Sequence, residues 1–285
     1  MSDREQFLGK YGTAEHADNI FKNSKDDNSR HAAGKNPLLP ESTINKAVES
    51  DDDSERYLVA GNPSLKPHHV DKLVNDHVPE IRTQLTVNPN LKEHHIHTLI
   101  NDRDEDVRIG MAGNKSVKKD RIDKLINDPN SRVRRELFNN PNLESHHIDA
   151  LTKDKDQSVR EQFTHHPNLT KNHIDNLVND TSSDVRSYVA SHKLVKKEHI
   201  DKLINDPDRW VRHNLTYNPN LDSHHIDKLM SGHGHYTTPV NMIDSEHKLT
   251  LPQIKTGLES IENSTDSHLL NDYKKAVKNK YGHDL

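Results

Sequence analysis

The chain has 285 residues, of which 30% are apolar, 4% aromatic and 30% charged, with a formal net charge of -5. That apolar share is thin for one globular core, and the charge balance gives no strong pull toward nucleic acid or membrane. Cysteine is absent, which excludes disulfides, thiolate catalysis and Cys-ligated zinc.

From the N-terminus, "MSDREQFLGK" lacks the apolar core of a signal peptide. No apolar run is long enough to span a membrane. The first segment, 1–29, reads as a degenerate repeat that caps the array, with Arg4, Phe7 and Leu8 in register and Ala17-Asp18 one place off.

A fixed period then takes over. Arg30, Arg56, Arg82, Arg108, Arg134, Arg160, Arg186 and Arg212 stand 26 residues apart. Most follow Ile or Val. Six residues after each comes Asn or His, mostly followed by Pro, as at Asn62, Asn88, Asn140 and Asn218. A second apolar column runs through Ile44, Val70, Ile96, Ile122, Ile148, Ile174, Ile200 and Ile226. Disordered, low-complexity chains do not hold apolar residues in such register.

Each unit predicts two short helices. Asp76, Asp102, Asp128, Asp154, Asp180 and Asp206 stand where a carboxylate would cap the first. Pro129 and Pro207 would follow at its first position. The Asn-Pro pair ends that helix, because a residue before proline is pushed out of the helical region. The second helix opens at Leu-x-x-His-His-Ile, with Leu143 and Ile148 spaced as a hydrophobic staple. About seven apolar positions per unit are too few to fold alone, so neighbours must share one core.

The pattern Asp-x-x-x-Val-Arg, Asn-Pro, staple and Ile-x-x-Leu resembles the short HEAT-like repeats called leucine-rich repeat variants, over roughly Arg4 to Met230. The resemblance implies an all-α, right-handed α-solenoid of about nine 26-residue two-helix repeats, alternating α with short or 3₁₀ helices. His-His stands here where the family usually shows Pro-Glu. The wording "EHADNIF…NPLLPESTINKAV" also resembles tandem-repeat proteins common in tailed-phage genomes. That likeness implies capsid, neck or tail components as partners and, beside the default cytoplasmic location, a virion one.

The paired histidines fall at the second helical position (His68, His94, His146, His224) and the third (His69, His95, His147, His173, His199, His225). Both are expected at the surface as neutral imidazoles. Adjacent helix positions diverge by ~100°, and the column breaks at Asp120-Arg121, so neither metal nor cofactor is expected. His94 with His97, and His233 with His235, offer at most weak chelation. Protonated imidazoles at helix N-termini would oppose the dipole, predicting stability loss as pH falls.

The arginines Arg82, Arg108, Arg134, Arg160, Arg186 and Arg212 are expected to pair with the aspartate after the core Ile. That set is Asp71, Asp123, Asp149, Asp175, Asp201 and Asp227. Catalysis needs one unit to differ from the rest, and no nucleophile–base–orienter set stands out, so the chain reads as a non-enzyme. Trp210 stands on an otherwise polar column, which reads either as a partner anchor or as local packing. Lys118-Lys119 and Lys196-Lys197 mark two units three periods apart and are further candidates for partner contact.

The repeat occupies 30–231. The segment 232–285 opens with the loop "SGHGHYTTPVN" and then predicts two helices as a cap or docking element. Two functions follow. The first is a protein-interaction scaffold presenting an arc of ~80–90 Å. The second is a DNA-backbone binder, as the architecture resembles the HEAT-like alkylpurine glycosylases. Against the second stand the negative net charge and the scarcity of aromatics.

Overall fold

The computed structural model describes residues 12–233, 238–245, 247–263 and 267–282. The expectations for Arg4, Phe7, Leu8 and His235 lie outside the described residues. The described residues contain helices and no strand. Two compact units divide the chain, residues 1–144 and 145–285.

In the first unit, helices α1 (Ala14–Asn23) and α2 (Asp27–Gly34) open the array. Helix pairs α3 (Glu41–Glu49) with α4 (Asp53–Ala60), α5 (Pro67–Leu73) with α6 (Pro79–Leu85), and α7 (Glu93–Ile100) with α8 (Glu105–Ala112) follow. The unit closes with α9 (Lys119–Leu125) and α10 (Ser131–Glu136). The even-numbered helices, carrying Val-Arg or its equivalent, pack on one another; so do the odd-numbered ones. One 3₁₀ turn, Leu137–Asn139, follows α10.

The second unit repeats the scheme with α11 (Ser145–Leu151), α12 (Gln157–Phe163), α13 (Lys171–Leu177), α14 (Ser183–Ala190), α15 (Lys197–Leu203), α16 (Arg209–Leu215) and α17 (Ser223–Lys228). Three further helices, α18 (Thr238–Asp244), α19 (Leu251–Glu262) and α20 (Ser267–Tyr281), complete it. Helix pairs recur at the 26-residue spacing in both units, the fold of a helical repeat solenoid.

The core is the shared stripe that the apolar columns predict. Ile81, Leu85, Leu99, Val107 and Met111 are buried in the first unit, and Val159, Phe163, Ile174, Leu177 and Val185 in the second. Each such side chain stabilises by about 1.5–3 kcal/mol, and it does so only against the next pair. The final helices close the second unit: α19 lies so tight that a Cβ at Gly257 would meet Met230 Cε and Tyr273 Oη at 2.5 Å.

The first-helix caps differ from expectation by two residues. The N-caps are Asp52, Val78, Asp104, Asn130, Asp156, Ser182 and Asp208. Helices α10 and α16 start at Ser131 and Arg209, so Pro129 and Pro207 precede the cap and do not occupy the first helical position. The aspartate column two places earlier has another task.

Candidate interaction surfaces and the ladders beneath them

That task is to hold the arginines. Arg82 Nε and Nη2 donate to Asp102 Oδ2 and Oδ1 at 2.6 and 2.7 Å, while Nη1 donates to the Asp76 carbonyl at 2.6 Å. The same fork joins Arg56 to Asp76 and Arg108 to Asp128 in the first unit. In the second it joins Arg160 to Asp180 and Arg186 to Asp206. The partner is therefore the aspartate 20 residues on, in the next repeat, and not Asp71 or its equivalents. Each of these carboxylates also accepts the N–H two residues ahead, as Asp102 does from Asp104 at 2.9 Å. Arginine neighbours and that N–H hold Asp76, Asp102 and Asp206 below the usual carboxylate range, against the opposing pull of burial. The fork is buried and fully bonded, the geometry in which a desolvated ion pair is tolerated.

The ladder stops at its last rung. Arg212 Nη1 still donates to the Asp206 carbonyl, but position 232, where the next aspartate would fall, is Gly232. Arg212 Nε is buried without a hydrogen bond among the described residues.

The aspartates after the core Ile serve the histidines. At the third helical position His69, His95, His173, His199 and His225 are buried, not solvated, while His94 beside His95 stays exposed. His95 Nδ1 accepts the Lys92 N–H at 3.0 Å, capping α7, and Nε2 lies 2.6 Å from Asp71 Oδ1 in the previous repeat. His199 repeats this with Lys196 and Asp175 at 3.1 and 2.6 Å. His173 keeps the cap, its Nδ1 accepting the Thr170 N–H at 2.8 Å, but its Nε2, although 2.8 Å from Asp149 Oδ1, is not aligned to donate to it. His225 reaches Asp201 at 3.0 Å, and its cap is itself a carboxylate, Asp222, 2.9 Å from Nδ1. The two histidines hold the Asp71 carboxyl below its ordinary value, His95 first and then His94.

At His69, His95 and His199 this geometry fixes a tautomer, whereas at His225 the Asp222 carboxylate also faces Nδ1. A backbone N–H can only donate, so the Nδ1 it points to carries no proton. Nε2 then carries the proton and donates to the previous repeat. Three substitutions along the column keep the donor to the previous repeat, though Arg121, which has no acceptor, gives up the cap. At the start, His69 Nε2 meets Asn45 Oδ1 at 2.6 Å. In the middle both partners change together: His97 replaces the aspartate, Arg121 replaces the histidine, and Arg121 Nη1 lies 3.0 Å from His97 Nδ1. At the end Gln253 does the imidazole's work with an amide. Its Oε1 accepts the Thr250 N–H at 2.8 Å and its Nε2 donates to Asp227 Oδ1 at 2.8 Å.

The same tautomer bears on metal binding. Asp71, His94 and His95 bring ligand-type atoms within 4.8 Å of one another. An ion on His95 Nε2 would force the proton onto Nδ1, against the Lys92 N–H. The column suits hydrogen bonding and opposes coordination.

A third ladder is built from the Asn of Asn-Pro. Asn88 Nδ2 donates to the Ala60 and Asn62 carbonyls at 3.2 and 2.8 Å, and its Oδ1 accepts from Asn90 N at 2.9 Å. Asn62 and Asn218 do the same. His192 keeps only the acceptor half, with Nδ1 taking the Leu194 N–H at 3.1 Å. The Asn column was visible in the sequence; that it bridges repeats follows from its 26-residue recurrence together with an amide's paired donor and acceptor.

The polar repeat columns are thus spent internally, and the surfaces differ by unit. In the second, Trp210 is 52% exposed and Tyr217 51%. Their rings flank His213 edge-on, at centroid distances of 5.4 and 5.8 Å, and the Arg209 guanidinium lies 5.3 Å from the Trp210 ring. Tyr188, also exposed, meets His165 at 5.7 Å. Trp210, His213 and Tyr217 are spaced three and four apart, one face of a helix and its exit turn. The lysines are placed otherwise. Lys118 and Lys196 are N-caps of α9 and α15. Lys119 pairs with Glu144 at 2.7 Å and Lys197 with Asp222 at 2.8 Å, so half of that candidate set faces carboxylates of the following repeat.

No family profile and no curated protein matches the sequence. Among solved structures the chain is similar to one described as "a leucine-rich repeat variant with a novel repetitive protein structural motif", with a TM-score of 0.56 and 15% identity. The match covers 82% of this chain and 86% of that one. At that identity the likeness shows the fold, that of the leucine-rich repeat variant.

Proposed function

We propose that the chain is a non-enzymatic protein-interaction scaffold whose partner docks on the aromatic strip of Trp210, His213 and Tyr217. One contrast carries the reading. The repeated polar residues are consumed in ladders between repeats, while an exposed tryptophan and tyrosine sit on one helix face beside a cation. Exposed aromatic residues next to arginine are the composition of binding hot spots. The helical repeat fold supports interaction in general. The partner class we propose, a bacteriophage capsid, neck or tail component, rests on the sequence likeness alone, and places the protein in the cytoplasm or the virion. No described helix is long and apolar enough to cross a membrane.

Nucleic acid is the weaker reading, because Lys119 and Lys197 already face carboxylates and a phosphate track needs free cations. A photocrosslinking residue at position 217, with and without Trp210→Ala, tests the proposal. A single protein adduct that disappears in the Trp210→Ala chain is expected. An adduct indifferent to Trp210, or a salt-sensitive duplex-DNA gel shift in its place, would overturn it.

A further inference from the structure

The first helices of the first unit line an open trough. A groove of about 690 Å³ runs across Asp27, His31, Asp53, Tyr57, Val78 and Glu80. A second, of about 380 Å³, continues from Tyr57 and Glu80 to Asp106 and Ile109. The floor is apolar and aromatic, with the His31 and Tyr57 rings 5.7 Å apart. The rim is acidic: one carboxylate from each of four successive first helices, Asp27, Asp53, Glu80 and Asp106, all exposed. Asp27 and Glu80 take part in no ion pair among the described residues, whereas Asp53 meets Arg56. Arg30, which also lines the trough, turns its Nε to the Phe21 carbonyl at 3.2 Å. The acidic row ends where Arg132 pairs with Asp106 at 3.2 Å.

Acidic residues favour helix N-termini on their own account. Helix formation does not require them here, because the same two positions in the second unit hold Gln157-Ser158, Ser183-Asp184 and Arg209-Trp210. What the first unit adds is continuity, a carboxylate per repeat along one trough.

We propose that this trough binds an extended cationic polypeptide segment of a partner, with Lys or Arg at every third residue. The spacing follows from two lengths. Packed helices lie ~8–10 Å apart, and an extended chain advances ~3.3 Å per residue, so about three residues span one repeat. The aliphatic stems of those cations would lie over Tyr57, Val78 and Ile109 while their heads reach the rim. This inference rests on the scaffold reading and assigns that scaffold a second, separate surface.

The test uses the full chain and two fluorescein-labelled synthetic peptides of one composition. One carries lysine at every third position; the other carries its lysines in one block. Fluorescence anisotropy is read for the wild-type chain, for Asp27→Asn with Glu80→Gln, and for Trp210→Ala. The spaced peptide should bind more tightly than the blocked one, weaken with salt, and lose about tenfold in affinity in the double variant. Trp210→Ala should leave it unchanged. Absence of binding, equal binding of the two peptides, or indifference to the double variant would overturn the proposal. Those results would leave the Trp210 surface standing, just as an adduct indifferent to Trp210 would leave the trough standing.

Discussion

The first helices of the two units bury the same residues and show different ones. Inside, Arg82 in the first unit and Arg186 in the second hold aspartates 20 residues on with the same fork. Outside, the first unit presents Asp27, Asp53, Glu80 and Asp106 along a trough, and the second presents Tyr188, Trp210 and Tyr217. Tandem repetition constrains what lies between repeats and leaves the faces to diverge. Recognition is therefore to be sought where the repeats disagree.

The largest expected effect comes from breaking a rung. Arg82→Met strands the Asp102 carboxylate in a buried site and should cost about 3–5 kcal/mol in urea unfolding. Arg212→Met removes a guanidinium that holds no carboxylate among the described residues, and should cost about 1 kcal/mol or less. Equal losses at the two positions would show that the fork is not what stabilises the array.

Next in size is the histidine column. His95→Leu removes both the α7 cap and the link to Asp71, and should cost about 1–3 kcal/mol by thermal unfolding. His95→Gln should recover most of that, since Gln253 already performs both hydrogen bonds at the end of the column. At the exposed neighbour, His94→Gln should change stability by less than about 0.5 kcal/mol.

A smaller effect is read against pH. Burial holds His69, His166 and His192 below the ordinary imidazole value of 6.5. For His69 the adjacent His68 and Lys66 act in the same direction and Glu41 and Glu49 oppose them; for His192, Lys193 and His165 add to burial. With the folded pKa below the unfolded one, the unfolded chain takes up the proton first. Their contribution is complete above about 6.5 and is lost as pH falls from there through the lowered folded values. His192→Asn restores the amide of its column, and should flatten that decline in melting temperature while adding up to about 1 kcal/mol. Arginine-paired Asp76, Asp102 and Asp206, also depressed, give way at lower pH still. The smallest effect is at Trp210→Ala, within about 0.5 kcal/mol. A larger loss there would make the tryptophan a packing residue and take away the contrast between the faces.

Much of this was legible in the sequence. The 26-residue period, the helix pairs and the shared apolar stripe all appear in the columns. The pairing between columns did not. Every column recurs at the same interval, so spacing alone cannot say whether Arg82 meets Asp71 or Asp102; the structure joins it to the one reached across the next turn. Burial of His95 was hidden for a related reason. Its helical position marks it as a first-turn residue, and only the carboxylate of the previous repeat encloses it. One signal was available: at His97 and Arg121 both members of a pair change together, 24 residues apart, which is the separation of His95 from Asp71.

The imidazoles of the third helical position act as neutral links between repeats, one nitrogen accepting and the other donating as an amide does, and leave function to the outer faces. Side-chain ¹⁵N–¹H correlation spectra near neutral pH read that state directly. For His69, His95 and His199 we expect Nδ1 without a proton and Nε2 carrying one, unchanged when zinc is added. Protons on Nδ1, or resonances that shift with stoichiometric zinc, would contradict it and return the histidine column to the list of binding sites.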